Sequence, residues 1–116
     1  MVLKRASKGF TLVEIMIVVM IIGILTLIAV PNFLSARMNS QKNSCIANLH
    51  LIEAAKEQWA MDKKKSTTDT PTSTDLIGTA ADGYMKHYPS CPGGGTYTIN
   101  NMVTRPVCTI SGHVLN

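Results

Sequence analysis

The chain has 116 residues, 46% of them apolar, and a formal net charge of +4. That length allows one small domain and no more. The charge does not argue for a nucleic-acid partner: Lys4, Arg5 and Lys8 sit together at the start, and without residues 1–9 eight basic residues face seven acidic ones, a net of +1.

Residues 10–30 read FTLVEIMIVVMIIGILTLIAV, 21 residues with one charge, Glu14. Such a run is long enough to cross a bilayer as a helix, and basic flanks stay on the cytoplasmic side, so the chain beyond Val30 is expected outside the inner membrane. An ordinary secretory signal fits poorly. The apolar stretch is too long, and cuts after Ala29 or Ala36 would place Leu27 or Leu34 where a small residue is wanted. The segment is therefore expected to stay on the protein. Glu14 is the anomaly within it: a carboxylate at the centre of a membrane helix costs about 2.5–3.5 kcal/mol. One turn into the run the cost is lower, and the positive helix N-terminus favours the charge. A tolerated interfacial glutamate is one reading.

The run Lys8-Gly9-Phe10-Thr11-Leu12-Val13-Glu14 resembles the processing signature of type IV prepilins and pseudopilins, and Gly23, Pro31, Asn32 and Phe33 continue the pattern. The resemblance implies a leader (residues 1–9) cut between Gly9 and Phe10 by a prepilin peptidase, N-methylation of the new Phe10 amine, and assembly into a helical homo-oligomeric filament on an inner-membrane platform. It implies that Glu14 pairs with the Phe10 amine of a neighbouring subunit. It also implies that the helix loses order between Gly23 and Pro31 in assembled filaments. A simple kink at Pro31, where the chain leaves the membrane, explains the same residues.

Past the membrane segment (residues 10–30), an amphipathic helix is expected over residues 31–64. Cys45, Leu49, Ile52 and Trp59, with Ala55 or Lys56 between, fall on one helical face. That face is read as the seam for a head formed by residues 65–116, with a Trp59 ligand platform as the alternative. Glu53, Lys56 and Glu57 are read as ordinary solvated charges. Lys63-Lys64-Lys65 complements the helix C-terminus. A basic triplet can also contact phosphate, and filaments of the resembled family sometimes bind DNA. A short helix over residues 71–77 is expected, with Thr70 as its cap and Pro71 in its first turn.

Residues 96–99 and 107–110 read as β-strands of a hairpin. The fold class is thus α+β: a long N-terminal helix packed on a small antiparallel head. The hairpin would bring Cys91 near Cys108, and closing that loop is worth about 3 kcal/mol. It resembles the cysteine-bounded C-terminal loop of many pilins, with Cys45 left as a buried free thiol. Pairing of Cys45 with Cys91 or Cys108 is the open alternative. His50, His87 and His113 show no metal-like spacing, and no nucleophile elbow or phosphate loop is found. No cofactor, metal or enzymatic activity is expected. The expected function is a structural subunit of a type IV pilus used in adhesion, twitching or DNA uptake. A type II secretion pseudopilin is the alternative, and a membrane-tethered binding module the weaker one. Major pseudopilins usually carry a calcium site of C-terminal acidic residues, whereas the last acidic residue here is Asp82.

Overall fold

The structure, a computed structural model, describes residues 2–4, 6–79 and 81–116. Met1 and the leader residue Arg5 lie outside the described residues. In chain order the elements are α1 (Leu12–Lys63), α2 (Ser73–Ile77), β1 (Tyr97–Thr98) and β2 (Val107–Cys108), the α+β architecture expected. The chain divides into two compact units, Met1–Ala36 and Arg37–Asn116.

In the first unit α1 starts at Leu12 rather than Phe10, because Thr11 takes the capping position. The Glu14 N–H donates to Thr11 Oγ1 at 3.3 Å. The helix runs unbroken through Gly23 and Pro31 in this single chain. Pro31 has no N–H to offer the carbonyl four residues back. Side chains supplement the ladder nearby: Thr26 Oγ1 donates to the Ile22 carbonyl at 2.7 Å and Asn32 Nδ2 to that of Ile28 at 3.2 Å. Such local bonds matter where no water can solvate the backbone.

In the second unit the predicted stripe is the core. Cys45, Leu49, Ile52, Ala55, Lys56 and Trp59 are the buried residues of α1. Ile52, Ala55 and Trp59 cluster with Leu76 of α2, and Tyr84, Met85, Tyr97 and Ile99 close over them. Trp59 is therefore part of the seam, with Lys65 Nζ 5.6 Å from its ring centroid. The helix ends in the manner its last residues dictate. Lys64 adopts a left-handed φ of 52°, its N–H donates to the Met61 carbonyl and that of Lys65 to the Ala60 carbonyl. This is the Schellman arrangement, which satisfies carbonyls the helix leaves free.

The α2 cap is Thr72, not Thr70. The Asp75 N–H donates to Thr72 Oγ1 at 3.3 Å, and the Thr72 N–H donates to the Asp75 carboxylate at 2.8 Å. This reciprocal capping box outcompetes a Thr70–Pro71 start, and Pro71 is buried ahead of the helix instead. The strands are shorter than expected, two residues each, paired antiparallel with Tyr97 opposite Cys108 and Thr98 opposite Val107. Thr109 N–H to the Thr96 carbonyl at 3.0 Å extends the contact at one end.

At the other end the chain leaves the extended region at Asn100, φ 59°, and Lys56 holds the connection that follows. Its side chain is not a solvated charge, as the sequence suggests, but buried at 2% exposure. Nζ donates to the carbonyls of Ile99 (3.0 Å), Asn101 (2.7 Å) and Thr104 (2.8 Å). Burial lowers its pKa, opposed by the nearby carboxylates of Glu53 and Glu57. Glu53 pairs instead with Arg105, Oε1 to Nε at 3.5 Å, a partly exposed contact of small worth.

Two predictions follow from these contacts. Lys56→Met keeps the stem but leaves three carbonyls without their donor, so it should destabilise the detergent-solubilised chain by about 2–4 kcal/mol. Urea unfolding followed by Trp59 fluorescence measures this, with the exposed Lys86→Met expected within about 0.5 kcal/mol of the parent. The second concerns acid. Hydrogen bonds from the Thr72 backbone, then its side chain, hold Asp75 below its ordinary 3.8. A depressed carboxylate contributes stability that is complete above the unfolded value and lost as pH falls through the folded one. Asp75→Asn should therefore flatten the fall in urea midpoint between roughly pH 5 and 3.

Candidate functional site

Gly9 and Phe10 precede α1, outside the helix and exposed, Phe10 at 86%. Nothing lies within 4 Å of where a Gly9 side chain would project, so the fold itself does not demand glycine there. The Thr11 N–H donates to Glu14 Oε2 at 3.0 Å, completing a second capping box with the bond from Glu14 to Thr11 Oγ1. The T-x-x-E spacing that forms it was readable in the sequence, and the reading of Glu14 as an interfacial glutamate near the helix N-terminus passed over it. Glu14 thus sits in the first turn, where the helix dipole favours a carboxylate, directly after the junction at Gly9 and Phe10.

From this point the helix surface is apolar on every side. Val13, Val18, Ile21, Ile22, Leu25 and Leu27 are each at least half exposed, as consecutive and opposite positions alike. The most apolar window is long enough to cross a membrane, and none of it is buried within the chain. A helix apolar all round is stable only when something else covers it. Each of its large side chains gains about 1.5–3 kcal/mol on full burial.

A second constellation lies in the head. The ligand atoms of Cys45, Cys91, Cys108 and His113 all fall within 4.8 Å of one another. Cys45 comes from α1, Cys91 from the loop before β1, Cys108 from β2 and His113 from the tail, whose turn is closed by its own N–H to the Ile110 carbonyl at 3.2 Å. The hairpin does bring Cys91 to Cys108. No disulfide links the three cysteines in this structure, and the hairpin leaves Cys91 and Cys108 close to each other and to Cys45. The histidines show no metal-like spacing along the chain, yet packing brings His113 together with the three cysteines. His50 and His87, by contrast, are exposed and outside the group. Burial pushes the Cys45 thiol up to about 12. Burial also opposes ionisation of Cys91, but the Gly95 N–H, the His113 ring and the Gly93 N–H outweigh it and hold that thiol at about 6.

Residues 4–30 match the family described as the prokaryotic N-terminal methylation motif. Competence protein ComGC of Bacillus subtilis is 37% identical over 88 residues, covering 76% of this chain and 84% of the relative. The ComG operon protein 3 homolog of Bacillus licheniformis is 33% identical over 95 residues, covering 82% and 92%. Type II secretion system core protein G of Escherichia coli is 30% identical over 105 residues, covering 82% and 72%. No solved structure matches the chain. The chain belongs to the type IV pilin-like family. Members of that family are processed by prepilin peptidase and assemble into filaments.

The mature subunit is predicted to begin at Phe10, with a methylated amine, by N-terminal sequencing and intact mass. Because Gly9 has open space, Gly9→Val should leave the head's unfolding midpoint unchanged while the leader is retained. Normal cleavage of Gly9→Val would show that the junction lies elsewhere.

Proposed function

We propose that this protein is a structural subunit of a type IV pilus, assembled through α1 after prepilin peptidase cleaves between Gly9 and Phe10. The observation that carries the reading is an apolar helix with no covering partner in its own chain, starting directly after the junction and holding one carboxylate, Glu14. Before assembly the segment spans the inner membrane, with Lys4 and Lys8 on the cytoplasmic side and the head outside. During assembly it leaves lipid for a core built from copies of itself. There Glu14 pairs with the Phe10 amine of the next subunit, neutralising two charges that would otherwise be buried alone.

Residues 23–31 are proposed to loosen in the filament. Gly23 is a weak helix former and Pro31 a weaker one that already forgoes one ladder bond, so unwinding costs least here. The head is read as structural, with no catalytic role. Among pilus roles, adhesion, twitching and DNA uptake, the competence-class relatives favour DNA uptake. The type II secretion relatives support a periplasmic pseudopilus as the second reading. Against it, the 34 residues after Asp82 hold no carboxylate side chain with which to build a C-terminal calcium site.

Glu14→Ala separates a filament subunit from a merely tethered head. In a tethered head the change removes a charge from lipid and is neutral or favourable to insertion. In a filament it strands a neighbour's amine in an apolar core, at about 3–5 kcal/mol per subunit. Filament yield from sheared cells should collapse while cleavage and membrane level of the subunit persist. Abundant normal filaments from the variant would refute the pairing. Filaments seen only in the periplasm of cells with the parent protein would favour the pseudopilus.

A further inference from the structure

We propose that Cys45, Cys91, Cys108 and His113 bind one zinc ion as a closed structural site in the head. Tetrahedral zinc, at about 2.3 Å from sulfur and about 2.0 Å from nitrogen, sets its ligand atoms roughly 3.5–3.8 Å apart. Cys91 Sγ and His113 Nδ1 already stand 3.7 Å apart, and the whole group lies within 4.8 Å, so small rotations about the Cα–Cβ bonds complete the shell. Three thiolates and an imidazole are the donor set of structural zinc, and they exclude calcium or magnesium, which take oxygen.

The local backbone is shaped for a bound thiolate. Cys91-Pro92-Gly93-Gly94-Gly95 forms a tight turn, closed by the Gly94 N–H to the Cys91 carbonyl at 3.0 Å with Gly94 at φ 87°. The turn aims the N–H groups of Gly93 and Gly95 at Cys91 Sγ. A side chain on Gly95 would lie 2.8 Å from Cys108 Sγ, so only glycine lets the turn approach the second sulfur. Four residues separate Cys108 from His113, a spacing that suits two ligands of one ion. Around them Leu49 and Ile110 exclude water. Tyr97 packs against the cluster of Cys45, Leu49 and Cys91, and its hydroxyl accepts from Asn48 Nδ2 at 3.1 Å, an outer contact of the kind that orients metal ligands.

A disulfide would use two of these groups and gives no reason for the other two to converge. Zinc uses all four, and its binding displaces the thiol protons to solvent. Three thiolates and one divalent cation leave a net charge of −1 at the site, which the glycine and tyrosine donors offset.

The test uses the full chain, extracted from membranes in detergent and purified without chelator or reductant. Elemental analysis is expected to find about one zinc per chain, and non-reducing peptide mapping no disulfide. Removing zinc with a chelator should lower the melting temperature, and adding zinc back should restore it. Cobalt(II) in its place should give the absorption of tetrahedral thiolate coordination. Tyr97→Phe should keep the stoichiometry but bind zinc roughly tenfold more weakly. A metal-free parent chain with a Cys91–Cys108 or Cys45-containing disulfide would overturn the proposal. So would undiminished zinc in a chain with all three cysteines changed to serine, or unchanged affinity in His113→Ala. The stoichiometry and mapping are made on the parent protein, so they decide the matter even if a variant fails to fold.

Discussion

One buried stripe on α1 organises the head. Among the described residues two pairs of strand residues and a five-residue helix accompany it, so these regular elements cannot build a core of their own. Small domains of this size bury too little surface to be secure by hydrophobic packing alone. Leu49, Ile52 and Trp59 supply the apolar contacts, and the same face carries polar fastenings at Cys45 and Lys56. Cys45 gathers the ends of the hairpin region, and Lys56 gathers the loop between the strands. The C-terminal segment is therefore tied to the helix at two points separated by three helical turns, one soft and one hard in character.

Lys56 shows how a charge can replace a sheet. The loop after β1 presents its carbonyls inward, where no strand partner can reach them. Unpaired, each would cost about 1–3 kcal/mol. An ammonium with three donors on a flexible stem answers all of them at once, and does so without fixing a strand register. The ladder ends after Thr98, where Asn100 turns the chain at a φ of 59°, and the buried Lys56 ammonium is itself left with no unmet donor.

What the sequence made legible was local or periodic. The apolar run and the spacing of Cys45, Leu49, Ile52 and Trp59 each depend on neighbours along one chain segment. The hairpin was legible in outline, because turn residues and β-rich runs are also local. Lys56 was misread because lysine is almost never fully buried, and nothing in its neighbourhood reveals the three carbonyls that a distant loop brings to it. The α2 start was misjudged because Thr70 and Thr72 both suit a cap, and only the reply from Asp75 decides between them. The cysteine–histidine group was missed for a different reason. Its members are spread from position 45 to position 113, and the helix-on-hairpin packing that unites them has no linear signature. Only the glycine-rich turn after Cys91 and the Cys108–His113 spacing hinted at it; the first suits turn chemistry alone, and the second was read as no metal-like spacing.

The capping box at the start of α1 changes how Glu14 should be understood. A carboxylate with no partner in an apolar segment is a liability throughout the time a subunit waits in the membrane. Here it accepts from the Thr11 N–H and lies in the first turn, where the helix dipole lowers its cost further. Yet the bond it makes is to an exposed backbone N–H at a fraying helix end, and water can replace it there. On the proposed route to a filament, a neighbour's amine offers a charged donor in place of a neutral one, a stronger bond by roughly twofold. The exchange is favourable only where the apolar surroundings exclude water. On that proposed route Glu14 is held loosely by its own chain and firmly by the next, and a charge arranged in that way would report correct register without obstructing insertion.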